Sequence, residues 1–196
     1  MNEHQLPAFL LQEYQILKLA IRRRLSDFKI VPENKYFYEL CYCICTPQSK
    51  AANALKVQKK LEDADFINNN FNPADILRTP SHYIRFHNQK AKRLMQAKLI
   101  FPEIMKILKS DLTAEEKRNR LAADLKGFGM KESSHFLRNI GFESLAILDR
   151  HILKHLKICR VINEIPKSLS KKKYLEIEKL YRDFSAKINI PIDELD

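Results

Sequence analysis

Tryptophan is absent from this 196-residue chain, and glycine occurs only three times. Glycine makes up about 7% of an average protein. Its scarcity excludes a turn-dense β-sandwich, a collagen-like chain and a flexible linker protein. No apolar run reaches the roughly 18 residues that a membrane-spanning helix needs. The start, Met1-Asn2-Glu3-His4-Gln5, carries no signal-peptide apolar core, so the chain is expected to work in the cytoplasm. No closely spaced run of four cysteines exists, which argues against a four-cysteine iron–sulfur cluster. What is present is an ordinary apolar fraction of 45% and enough length for one large domain or two small ones. Lys and Arg number 35 against 24 Asp and Glu, a formal charge of +11. That excess suits an anionic partner, nucleic acid first. The basic runs Arg22-Arg23-Arg24 and Lys171-Lys172-Lys173 are short enough to be solvated surface instead.

Three of the four cysteines fall in Cys41-Tyr42-Cys43-Ile44-Cys45. On a helix Cys41 and Cys45 share a face and Cys43 points elsewhere. This is not a zinc-ligand spacing, so no metal is expected. The tract reads as buried, reduced thiols.

The apolar periodicity is helical almost throughout. Leu10, Tyr14, Leu17, Ile21 and Leu25 form one stripe. A second helix is expected over about 34–45, broken by Thr46-Pro47, with Ser49 capping a third that runs toward Leu61. A helix from near Asn88 should end or kink at Pro102. Thr113 and Glu116 form a capping box opening a helix to about Leu125. Asp149 opens another helix, and the last holds Ile177, Leu180, Tyr181, Phe184 and Ile188. No segment alternates with period two for long. The expected fold is all-α, with roughly eight to eleven helices. It is divided into two closely packed lobes: residues 1–32 with 155–196, and residues 33–154. The second lobe contains a helix–hairpin–helix at about 115–141.

All three glycines, Gly127, Gly129 and Gly141, lie within one short stretch, and Gly141 fits the position just past the end of the second helix. In Leu125-Lys126-Gly127-Phe128-Gly129-Met130-Lys131 a glycine–hydrophobic–glycine turn joins two helices. Such a turn feeds free N–H groups toward a phosphate; an ordinary helix connection uses the same residues. Lys131 stands just inside the second helix. That is the end at which the dipole opposes positive charge, an odd place for a lysine unless its neutral amine serves as a nucleophile. Further on, Ala146-Ile147-Leu148-Asp149-Arg150-His151 places an acid at a helix start. Asp149 reads as an N-cap whose carboxylate also faces a cleft. An amine and a carboxylate are the pair needed to cleave an N-glycosidic bond.

Residues 125–141 and 146–153 resemble the helix–hairpin–helix DNA glycosylases of the endonuclease III superfamily. They look most like the compact archaeal and bacterial 8-oxoguanine DNA glycosylase/AP lyase branch. Two weaker matches sit upstream, at Ile84-Arg85-Phe86-His87-Asn88-Gln89-Lys90-Ala91 and at residues 39–49. The resemblance implies a damaged nucleotide flipped into a cleft between two helical lobes. It makes Lys131 the Schiff-base lysine and Asp149 the catalytic aspartate. Gly127 and Gly129 would clasp a phosphate, and Arg85 and Lys90, with Lys92 and Arg93, would contact the DNA backbone. Gln48 is a candidate for filling the gap or touching the opposite base. His135 would tune Lys131 or contact the base, or sit at the core edge. No cofactor is implied, apart from a monovalent cation at the hairpin. The partner is double-stranded DNA with a damaged base, bound by a monomer that does not engage membranes. Members of this branch usually continue past the position of Asp196 into an aromatic tail that helps read the base. The lesion therefore stays open between 8-oxoguanine, placed first, and an oxidised pyrimidine. A non-catalytic helix–hairpin–helix DNA-binding protein is the alternative from another class.

Overall fold

The computed structural model describes residues 6–196; Met1–Gln5, read above for its missing apolar core, lies outside them. Helices, turns and loops make up the described residues, with no strand among them. The ten helices are α1 Ala8–Lys29, α2 Tyr36–Cys45, α3 Ala51–Asp63, α4 Ala74–Arg78, α5 His87–Lys109, α6 Ala114–Asp124, α7 Met130–Asn139, α8 Arg150–Ile158, α9 Lys171–Ile188 and α10 Ile192–Leu195. None is long and apolar enough to cross a membrane.

Two compact units emerge, one of Val31–Ile140 and one of the chain up to Ile30 with Gly141–Asp196. The boundary differs from the expected 155. Residues 141–154, Asp149 included, group with the terminal helices because side chains of α9 and α10 bind their backbone.

The central unit is organised by α2. Phe37, Leu40, Cys41, Cys43 and Cys45 are all fully buried, with Tyr38 and Ile44 nearly so. Only a narrow strip with Glu39 and Tyr42 is partly exposed, so the wide apolar remainder must be covered. Helices α3, α5 and α7 pack against it, and Phe37 stacks edge-on against Phe101 at 5.1 Å between centroids. Burial pushes the Cys45 thiol up to about 12 and raises Cys41 and Cys43 as well. These cysteines are therefore protonated core residues.

Two expectations fail here. Pro102 does not end the helix it stands in; α5 continues past it to Lys109. The proline occupies the exposed face, while Phe101, Ile104 and Leu108 stay buried on the other. The hydrogen bond that proline removes is therefore lost on the side where water can replace it. Ser49 does not cap α3, whose N-cap is Lys50 with no side-chain bond.

In the terminal unit α1 packs against α10, and α10 against α9. Tyr14 donates to Glu194 Oε2 at 2.7 Å, and Arg22 Nε donates to Glu194 Oε1 at 3.0 Å. Of the sequence stripe on α1, only Tyr14 is fully withdrawn from solvent, and Leu17 stays half exposed.

Gly141 sits at the C′ position after α7, as its place in the sequence suggested. Its φ is +94°, and an added Cβ would lie 3.0 Å from the Lys29 Cα and 3.2 Å from the Phe28 carbonyl oxygen. Both obstacles are backbone. Gly141→Ala should therefore lower stability by about 1–3 kcal/mol, read as a drop of several degrees in melting temperature. An unchanged melting curve would show that the end of α1 yields freely.

Candidate active site

The hairpin runs from α6 through residues 125–129 into α7. The predicted capping box opens α6: the Glu116 N–H donates to Thr113 Oγ1 at 3.2 Å, and the Thr113 N–H donates to Glu116 Oε2 at 2.8 Å. The turn is closed by the Phe128 N–H donating to the Leu125 carbonyl at 3.1 Å. Phe128 is buried and meets Phe136 edge-on, which pins the turn to the core. Gly127 has φ +74°, and its missing Cβ makes room for the Arg93 guanidinium, whose Cζ lies 2.3 Å from where that Cβ would be. Arg93 therefore lies against the hairpin, where the sequence had suggested only an outward phosphate contact.

Gly129 is the N-cap of α7, so Lys131 occupies its first turn. Lys131 has an acidic neighbour at this end of the helix. Glu132 lies beside it, Nζ to Oε1 4.0 Å, with both side chains mostly buried. Glu132 also accepts the Gly129 N–H at 3.2 Å, which places an acid at the positive end of the helix. Lys131 is close enough to Cys43 of α2 to act on its thiol electrostatically. His135, one turn on, packs edge-to-face on Tyr42 of α2 at 5.7 Å. Burial, then Arg138 and Lys131, lower its pKa to about 3. Its placement is that of a neutral histidine at the core edge.

Gln48 and Arg85 lie on two joined loops, and Lys90 of α5 reaches beneath them. Gln48 is exposed and adopts a left-handed φ of +57°. The Arg85 N–H donates to Ser49 Oγ at 3.0 Å, and Asn53 Nδ2 donates to the Tyr83 carbonyl at 3.0 Å. Lys90 corrects the sequence reading. The residue is 2% exposed, and its ammonium donates to the Cys45 carbonyl at 2.8 Å, the Pro47 carbonyl at 2.6 Å and Ser49 Oγ at 3.2 Å. All three donors are used. They serve the C-terminal end of α2, where carbonyls and dipole favour a cation. Burial, with Arg93 and Arg85 nearby, lowers its pKa to about 8. Lys90 thus fastens the Gln48 turn from within and does not present its charge to solvent. Arg85 is exposed, and its guanidinium lies 5.3 Å from the Phe86 ring centre. Phe86 was missed by sequence reasoning. It is 51% exposed at a left-handed φ of +59°, and an aromatic residue just before a polar helix start was its only signal.

Asp149 belongs to the terminal unit. It caps α8 as expected, with Oδ1 accepting the His151 N–H at 2.7 Å and the Ile152 N–H at 2.9 Å. Its own N–H donates to the Ile147 carbonyl at 2.7 Å. The second oxygen, Oδ2, has no hydrogen-bond partner among the described residues. One half of this carboxylate holds the helix and the other half is uncommitted.

Comparison with known proteins adds a separate line of support. A family model described as 8-oxoguanine DNA glycosylase matches residues 21–190. An 8-oxoguanine DNA glycosylase/AP lyase of Fusobacterium nucleatum is 40% identical over 193 residues, spanning 93% of this chain and 88% of that protein. The crystal structure of an 8-oxoguanine DNA glycosylase of Methanocaldococcus jannaschii superposes with a TM-score of 0.85 at 34% identity, covering 100% of this chain and 94% of that one. The Methanocaldococcus jannaschii enzyme in complex with 15mer DNA containing 8-oxoguanine gives a TM-score of 0.84 at 34% identity, covering 96% and 93%.

The environment of His135 can be checked directly. The unfolded chain takes up a proton on this ring near pH 6.5, and the folded chain only near 3. Stability that rests on the neutral ring is therefore complete above pH 6.5 and drains away as pH falls toward 3. The His135 ring resonances should stay fixed between pH 7 and about 4.5 in a histidine-resolved NMR titration. A midpoint near 6.5 would place the ring in water.

Proposed function

The chain belongs to the 8-oxoguanine DNA glycosylase family, and from that premise we propose that it excises 8-oxoguanine from double-stranded DNA and cuts the strand through a Schiff base on Lys131. The observation that carries the site assignment is the divided carboxylate of Asp149, whose Oδ1 is spent on the cap of α8 while Oδ2 is uncommitted. The damaged nucleotide leaves the base stack. The negative charge of Asp149 stabilises the oxocarbenium-like sugar as the bond to the base breaks. The Lys131 amine, after shedding a proton, bonds to C1′ as the base departs with the bond electrons. A further proton then passes from that nitrogen to the ring oxygen O4′ as the C1′–O4′ bond breaks, which opens the sugar and gives the protonated Schiff base. Removal of the C2′ proton then expels the 3′ phosphate by β-elimination, and water releases Lys131.

The hairpin supports this with the backbone N–H of Gly127 for a phosphate; the Gly129 N–H, held by Glu132, would have to exchange that carboxylate for the phosphate. Arg85 and the Gln48 turn form a second contact surface, with Arg85 on the backbone and Gln48 at the gap or the opposite base. Side chains supply every proposed step, so no cofactor is assigned. A monovalent cation at the hairpin would share the turn with the Arg93 guanidinium that lies against Gly127.

Borohydride trapping on a duplex containing 8-oxoguanine tests the assignment. The wild-type chain should form a covalent adduct and Lys131→Gln should form none. Asp149→Asn should slow excision by roughly 10²–10³-fold while binding the duplex normally. An adduct that survives in Lys131→Gln would sink the Schiff-base role.

The salt dependence of DNA affinity separates Arg85 from Lys90. Removing one phosphate contact lowers the salt slope by about 1. Arg85→Ala should show that decrease and Lys90→Met should not. Equal decreases in both would return Lys90 to the DNA surface.

A further inference from the structure

The backbone of residues 144–148 runs into Asp149 without any strand beside it. Leu145 and Ala146 are fully buried and Leu148 nearly so. Buried main-chain groups need partners, and here side chains provide them. Asp193 accepts the Ser144 N–H at 2.9 and 3.0 Å through its two oxygens. Glu178 Oε1 accepts the Ala146 N–H at 3.0 Å, and Asp196 Oδ2 accepts the Ile147 N–H at 3.0 Å. Tyr174 does two things at once. Its hydroxyl donates to the Ala146 carbonyl at 2.5 Å and accepts the Leu148 N–H at 3.3 Å. Tyr174 and Glu178 are one turn apart on α9 and almost wholly buried.

These bonds are spread along residues 144–148, which lead into Asp149, and end on the Leu148 N–H. The direction in which Oδ2 points depends on two things: the cap bonds of Oδ1 and the backbone that delivers Asp149 to α8. The cap bonds fix the carboxylate to α8. Tyr174 ties the delivering backbone on both sides of Ile147, whose carbonyl in turn receives the Asp149 N–H. A shift of about 1 Å in a reacting group is worth as much as 10²-fold in rate, so a single buried oxygen at this point has leverage.

We propose that Tyr174 is a positioning residue for Asp149: its buried hydroxyl sets the path of residues 146–148 and so aims the free carboxylate oxygen at the sugar. The inference rests on the reading of Asp149 as the catalytic carboxylate. Glu178 supports the same path one bond further back.

Tyr174→Phe removes only the oxygen and leaves the ring to pack. Single-turnover excision and the dissociation constant are measured on a duplex containing 8-oxoguanine, well below the melting temperature of each variant, with Asp149→Asn alongside. A rate roughly 10- to 100-fold lower with a dissociation constant within about twofold is the expected result. A purely structural tyrosine would lower the melting temperature and leave the rate of the folded protein alone. An unchanged rate in Tyr174→Phe beside a slow Asp149→Asn overturns the inference and spares the role of Asp149. A fast Asp149→Asn overturns both. Should Tyr174→Phe not fold, Glu178→Met releases the Ala146 N–H instead. The same loss of rate at constant affinity is expected there, and an unchanged rate overturns the inference.

Discussion

A helix apolar over most of its circumference governs the central unit. Because α2 buries Phe37, Leu40, Cys41, Cys43 and Cys45 together, only the narrow strip that carries Glu39 and Tyr42 meets water. Its neighbours have to close around it. Closing α7 onto α2 sets the hairpin in place and puts Lys131 and His135 at the edge of that packing. Closing α5 onto α2 brings Lys90 beneath the last turn of the helix, and the Gln48 turn follows. The groups with proposed chemistry thus stand at the rim of one apolar contact and inherit its rigidity.

Loops in this chain are stiffened by buried side chains more than by glycine or by backbone ladders. Lys90 fastens residues 45–49 with three bonds, and four side chains from α9 and beyond fasten residues 144–148. A fully committed ammonium or carboxylate inside a protein is costly to desolvate. It is retained where it fixes backbone that regular structure does not reach. Non-glycine residues in left-handed backbone, Gln48 and Phe86 among them, sit on loops held this way, and such strain persists only where its surroundings over-determine it.

Local chemistry was legible in the sequence and long-range chemistry was not. The capping box of Thr113 and Glu116, the cap at Asp149 and the helix-ending role of Gly141 each depend on neighbours within a few residues. All were read correctly from spacing. Lys90 was misread because its acceptors lie 41 to 45 positions earlier in the chain; from sequence alone a lysine near a helix start looks solvated. Ser49 was misread for the same reason, since its hydroxyl serves Arg85 and Lys90 and not the helix that follows. Pro102 defied its usual effect because only folding reveals which face of a helix meets water. The unit boundary moved from 155 to 141 through bonds that α9 and α10 make to residues 144–148. Nothing in those residues announces such bonds.

The divided carboxylate of Asp149 has a consequence for how this protein can fail. Asparagine caps helices about as well as aspartate, so exchanging one for the other keeps the Oδ1 side of the arrangement and removes the charge from the Oδ2 side. Quality control in a cell inspects folding, solubility and resistance to proteolysis, all of which follow the first oxygen. On the proposed assignment, repair follows the second. A chain altered at this single group would persist at normal abundance and would still occupy damaged sites, shielding them from other repair.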